Sequence, residues 1–153
     1  MALYLVQHGK SLPKDVDPDQ GLSDEGKSDV QRITGVAEGY GVKVSKIAHS
    51  GKKRARQTAE LFGTVLALQQ DIEERDGLKP LDDVSTVAET LNTGENLMLV
   101  GHLPFMERLT NYLVAGSSDG LVFKFQNGGI LCLDQDPEID SWFIKWSLMP
   151  HIE

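Results

Sequence analysis

The chain has 153 residues, 40% hydrophobic and 25% charged, with a formal net charge of −8 and a single cysteine, Cys132. That length favours one domain, spanning 1–153, with a core that needs no staples; the acidic balance argues against a nucleic-acid surface, and no stretch is apolar for long enough to cross a membrane. We expect a cytoplasmic monomer with no nucleic-acid or membrane partner and no intrachain disulfide.

Residues 2–7 are apolar and end at Gln7-His8-Gly9, which reads as a buried strand feeding a tight turn. Residues 10–22, with Pro13 and Pro18, form a loop. Ser23 is placed to cap a helix carrying Asp24 and Glu25 in its first turn; it runs to about Glu38, where Gly39 and Gly41 end it. Lys46–His49 is a second strand, 52–67 a helix with Ala55, Ala59, Phe62 and Leu66 at helical spacing, and 70–74 a third strand. Val84–Leu91 follows as a helix, Leu97–Val100 as a strand and Pro104–Val114 as a helix with proline near its first turn. Thereafter Val122–Phe125, Ile130–Leu133 and Trp142–Leu148 read as strands with no helix between them, and Asp134–Asp140 as a hairpin loop. Alternation of strand and helix followed by consecutive strands predicts a three-layer α/β sandwich: a mostly parallel sheet with antiparallel C-terminal edge strands.

Three constellations carry chemistry. Gln7-His8-Gly9 and Gly101-His102-Leu103-Pro104 each follow an apolar strand. Ligands in open α/β sheets bind outside the carboxyl ends of such strands, so two imidazoles delivered there can share one pocket. Imidazole is both a nucleophile and a proton carrier near neutral pH. Ser50–Ala59 opens a helix and places four cations, Lys52, Lys53, Arg54 and Arg56, within five residues of an acidic protein. Helix N-termini favour anions, and a guanidinium suits bidentate phosphate binding; one of Arg54 and Arg56 should turn inward. Each motif also has a plain reading, as a core histidine or a solvated basic face.

Taken in order, Gln7-His8-Gly9, Leu22-Ser23-Asp24-Glu25-Gly26, Ser50 to Ala59 and Gly101-His102 resemble the histidine phosphatase superfamily, whose fold is phosphoglycerate mutase-like. The short chain is most similar to the small branch that includes bacterial phosphohistidine phosphatases, and Leu78–Asp83 and His102-Leu103-Pro104 look like that branch. The resemblance implies a phosphatase that uses neither metal nor cofactor. His8 is then the nucleophile that becomes phosphohistidine, and Arg54 and His102 hold the phosphoryl oxygens. The implied substrate is phosphohistidine on a protein partner, and a small phosphorylated metabolite is the alternative. Asp82 and Asp83 stand where the family often carries an acid, with Asp83 the better match by position; the same pair reads as a helix N-cap before Val84.

One departure is prominent. The family opens with Arg-His-Gly, and this chain has Gln7. Glutamine donates hydrogen bonds without charge, and one lost charged contact costs on the order of 2–4 kcal/mol in the transition state. Gln7 is expected to line the phosphate site with His8, Arg54 and His102, and Lys10, Lys52 or Lys53 to stand in for the missing charge. Without such help the chain would be a phosphate-binding module with weak or no turnover. Gly21–Ser28 fits a nucleotide-binding P-loop letter by letter, but it follows a polar, proline-containing segment and carries Asp24 and Glu25, so nucleotide binding is not expected. Asp15–Asp19 lacks the calcium-loop spacing, and the histidines lack the spacing of a metal site.

Overall fold

The computed structural model describes residues 2–67 and 69–153. In chain order its elements are β1 (Leu3–Gln7), α1 (Asp24–Gly39), β2 (Lys46–His49), α2 (Lys53–Leu66), β3 (Ile72–Glu74), α3 (Val84–Ala88), β4 (Leu97–Gly101), α4 (Phe105–Ala115), β5 (Ile130–Asp136) and β6 (Ser141–Leu148). The sheet order is β3-β2-β4-β1-β5-β6. β3, β2, β4 and β1 run parallel, and β5 and β6 add antiparallel to the β1 side. The predicted sandwich is therefore the observed one.

The period-two alternation of strands divides the core between two faces. Tyr4 and Val6 of β1 pack with Val30, Ile33, Ala55, Ala59 and Phe62 from α1 and α2. Leu3 and Leu5 point the other way, against Val84, Val87, Phe105, Met106 and Leu109 from α3 and α4. β1 and β4, buried on both faces, are accordingly continuous apolar runs up to Gln7 and Gly101 rather than alternating. Fully burying one Phe or Leu of this core stabilises by about 1.5–3 kcal/mol.

Helix α1 begins as its sequence dictates: Ser23 is the N-cap, and its hydroxyl accepts from Gly26 N at 3.0 Å. Gly26 lies so close to the backbone of Lys10 that a Cβ there would sit 2.1 Å from the Lys10 carbonyl oxygen. The start of the helix is thereby pressed against the turn that follows His8.

Four expectations need correction. The helix expected over Val84–Leu91 ends at Ala88, and Thr90 and Leu91 close tighter turns onto Val87 and Ala88 instead of continuing it. Val122–Phe125 is not a strand. Both edges of β1 are taken, by β4 and β5, and the Phe125 amide donates to the Glu107 carboxylate at 3.2 Å instead of to a ladder. Phe125 is buried and meets Phe123 edge-on, with centroids 5.1 Å apart. The segment is an apolar crossover rather than a sheet member. β5 extends to Asp136, so only 137–140 remain as the hairpin loop; pairing with β6 carries the ladder through Asp136↔Ser141. Gln70 and Asp71 lie in a 3-10 turn, and β3 begins at Ile72.

Candidate active site

β1 and β4 are adjacent and in register, with Gln7 opposite Gly101 and the His8 amide donating to the Gly101 carbonyl at 2.9 Å. β2 ends at the same level, with His49 opposite Val100. β1 continues to α1 on one face, whereas β4 continues to α4 on the other. This is the reversal of connection at which α/β sheets open a crevice. His8, Ser50 and His102 are the residues that follow these strand ends, and the rings of His8 and His102 lie 5.0 Å apart between centroids.

The His8 ring is fixed from both sides. Nδ1 lies 2.7 Å from the Gly9 carbonyl oxygen, which only accepts, so Nδ1 carries the proton. Nε2 keeps its lone pair and accepts from Arg54 Nε at 3.3 Å. Burial, opposed by the Gly9 bond and aided by the Arg54 charge, pushes the His8 pKa down to about 4. A neutral imidazole thus presents a lone pair beside a guanidinium. The turn itself is braced: the Gly9 amide donates to Thr58 Oγ1 at 2.9 Å, and Asn127 Nδ2 donates to the His8 carbonyl at 2.9 Å.

His102 is almost wholly buried, and its Nε2 meets Ser50 Oγ at 2.6 Å. Its Nδ1 is buried without a partner among the described residues. Burial, then the charges of His8, Arg54 and Lys52, push its pKa down to about 3. Gln7 is also buried, and its amide oxygen has no partner among the described residues. An amide turned over by 180° presents N–H donors at the same place. Buried polar atoms left unmatched cost free energy, so Nδ1 of His102 and the Gln7 amide are suited to receive a ligand.

The cations separate clearly. Arg54 faces His8, while Arg56 is half-exposed and lies 3.7 Å from Glu60 on its own helix. Lys10 is held by Glu25 at 2.8 Å and Lys53 by Asp17 at 2.9 Å. Among the described residues Lys52 has no carboxylate within ion-pair distance. Of the three lysines proposed to replace the missing arginine, Lys52 alone keeps an unneutralised charge near His102.

The acids sit in local roles. Asp83 is the N-cap of α3; its carboxylate accepts from the Ser85 amide and hydroxyl at 2.9 and 2.8 Å. Those bonds hold its pKa below the ordinary carboxylate value, which leaves no proton to donate at neutral pH. Asp82 accepts from the Lys79 amide at 2.9 Å. Among the described residues, Glu25, Asp29 and His151 are close enough to share a cation. Lys10 and Arg32 already neutralise those two carboxylates, so the group ties the chain together rather than waiting for a metal. Lys27, the P-loop lysine by letter, is exposed on α1.

A family model described as the histidine phosphatase superfamily, branch 1, matches residues 3–83, more than half of the chain. The chain belongs to the histidine phosphatase superfamily. Among solved members of this fold it is similar to the protein histidine phosphatase SixA complexed with tungstate: TM-score 0.84, 24% identity, covering 98% of this chain and 97% of that one. A protein from Agrobacterium tumefaciens described as phosphohistidine phosphatase SixA matches with TM-score 0.77 and 25% identity over 97% of each chain. A phosphoserine phosphatase from Entamoeba histolytica, in complex with 3-phosphoglyceric acid, shares the fold at 13% identity, with TM-score 0.71 over 95% of each chain. No curated protein matches the chain in sequence.

Two members of the cluster were missed by reading the sequence. Ser50 stood inside the motif but was not linked to His102, and Asn127 carried only the weak signal of a polar residue before Gly128-Gly129. Both contacts join segments far apart in the chain, 52 and 119 positions, which no local spacing reveals.

Proposed function

We propose that the chain is a phosphatase that works through a phosphohistidine on His8 and removes phosphate from phosphohistidine on a protein partner. The observation that carries this reading is the Nε2 lone pair of a neutral His8, held beside Arg54 by the Gly9 carbonyl. Nε2 forms a bond to phosphorus as the bond from phosphorus to the substrate imidazole breaks. A substrate ring protonated on its other nitrogen departs as neutral imidazole, so no side-chain acid is needed. Asp83, engaged as a cap, is then dispensable. Arg54 and Lys52 balance charge on the transferring group. Ser50 donates to Nε2 of His102, which leaves Nδ1–H to donate to a phosphoryl oxygen, and the Gln7 amide adds an uncharged donor. Water then attacks phosphorus as the bond to His8 breaks; inorganic phosphate leaves, one water proton goes to solvent, and His8 returns with its lone pair.

The likeness to SixA proteins supports a phosphohistidine substrate, and the tungstate of one of them supports an oxyanion in this crevice. The test is phosphate release from a phosphohistidine-bearing phosphotransfer protein. We expect release by the wild type and none by His8→Ala. No release by either, on a substrate shown to be competent, would leave a phosphate-binding module, the outcome that Gln7 would explain.

A further inference from the structure

A cavity of about 550 Å³ adjoins the centre and shares Arg54 with it. It also takes in Lys14, Lys52, Lys53 and Arg56, against one lining carboxylate, Asp19. A space of that size is far more than a single phosphoryl group needs. Lys53 is neutralised by Asp17 at 2.9 Å, outside the lining, and Arg56 is loosely paired at 3.7 Å. Lys14 and Lys52 have no ion-pair partner among the described residues. The first turn of α2 borders the same space, and its N-cap, Lys52, supplies no side-chain bond to the free amides. In a chain of net charge −8 this local excess of positive charge runs against the bulk. It also repels itself unless an anion fills the space.

We propose that this cavity is a second anionic subsite, which takes the carboxylates of Asp or Glu flanking the phosphohistidine on the protein substrate. The inference rests on the phosphohistidine reading above and adds a substrate class to it: acidic segments are preferred over neutral ones. Lysines carry compact charges on long stems and do not demand the planar match of a guanidinium. Lys14, which the phosphoryl site does not use, therefore suits a carboxylate along a peptide better than a second phosphate held at one point, with the loosely paired Arg56 beside it.

The test compares free phosphohistidine with two phosphohistidine peptides, one with Asp and Glu flanks and one with Asn and Gln in their place. Each is turned over by the wild type and by the double variant Lys14→Glu, Arg56→Gln, whose substitutions fall on exposed side chains. We expect the acidic peptide to have a KM roughly tenfold lower than the neutral one with wild type, and the difference to vanish in the variant, as steering by unpaired charges would give. Both proteins should handle free phosphohistidine alike. Equal KM values for the two peptides with wild type would overturn the subsite. So would an equal loss in the variant on all three substrates. Calorimetric binding of the same peptides to His8→Ala reads the subsite without turnover: a roughly tenfold preference for acidic flanks supports it, and equal affinities overturn it. An inactive wild type that still binds the acidic peptide preferentially would sink the phosphatase reading and leave the subsite standing.

Discussion

The two hydrogen bonds at the His8 ring admit one tautomer, and its burial decides its charge. The cationic form loses hydration and faces Arg54, which is why the pKa falls from 6.5 to about 4. The neutral, nucleophilic form therefore persists well below the range where free histidine protonates. In the unfolded chain His8 takes up its proton as pH drops below about 6.5, whereas in the folded protein it resists until about 4. The contribution of His8 to stability is then constant above the unfolded value, declines as pH falls through that window, and levels off below it. Following the His8 Cε1–H resonance against pH should give a midpoint near 4; a midpoint near 6.5 would show a ring that is hydrated and free. Gln7 supports a second prediction. An arginine there would add the charge the family motif supplies, worth on the order of 2–4 kcal/mol in the transition state, or roughly 10²-fold. Gln7→Arg should raise kcat/KM on phosphohistidine by about that factor, and an unchanged value would mean that Lys52 already fills the role. His8 and His102 were legible in the sequence from residue type and position after apolar strands, whereas Arg54 was singled out from Arg56 only by the family resemblance. The Ser50–His102 bond was not, because it depends on β2 and β4 ending at one level, a property of register.

Elements were legible where local chemistry alone decides them. Ser23 caps α1 because a hydroxyl before Asp24 and Glu25 has an orphan amide to accept from, at Gly26. β1 and β4 were readable as buried strands because both faces are covered and every position before Gln7 and Gly101 at their ends is apolar. The segment 122–125, with Phe123 and Phe125 either side of Lys124, misled by its β-like composition. Burial of Phe125 is real, but apolar composition does not say whether a sheet edge is free to receive the segment, and β1 had none. β5 was underestimated because Asp134, Gln135 and Asp136 are polar; the partner strand β6, not side-chain burial, holds that half of it extended. The choice between Arg54 and Arg56, open on helical spacing alone, was settled by where α2 starts relative to the end of β1. Arg54 reaches His8, and Arg56 is left over Glu60.

At the scale of the whole molecule, the turn 126–128 joins the site to the far end of the chain. Gly128 N donates to the Gln7 carbonyl at 2.9 Å and Asn127 to the His8 carbonyl at 2.9 Å. On its other side Gln126 exchanges two bonds with the backbone of His151, both 2.9 Å. His151 in turn reaches Asp29 of α1 at 3.1 Å, and Arg32 of α1 donates to the Pro150 carbonyl at 2.7 Å. The nucleophile's backbone is thus clamped by a turn that α1 and the last residues hold in place, and the His8 carbonyl sets where the ring sits over Arg54. Asn127→Ala leaves that part-buried acceptor without its donor, a loss of about 1 kcal/mol, and lets the ring drift from its contact. A displacement on the order of 1 Å is enough to lower turnover up to about 10²-fold, so we expect kcat to fall at least several-fold while KM holds. Lost stability alone would not produce that split. Phe62→Leu, in the core between α1, α2 and the sheet, is the control: at a matched drop in Tm its kcat should stay at the wild-type value. If the two variants lose kcat equally, the Asn127 bond supports the fold and does not position His8.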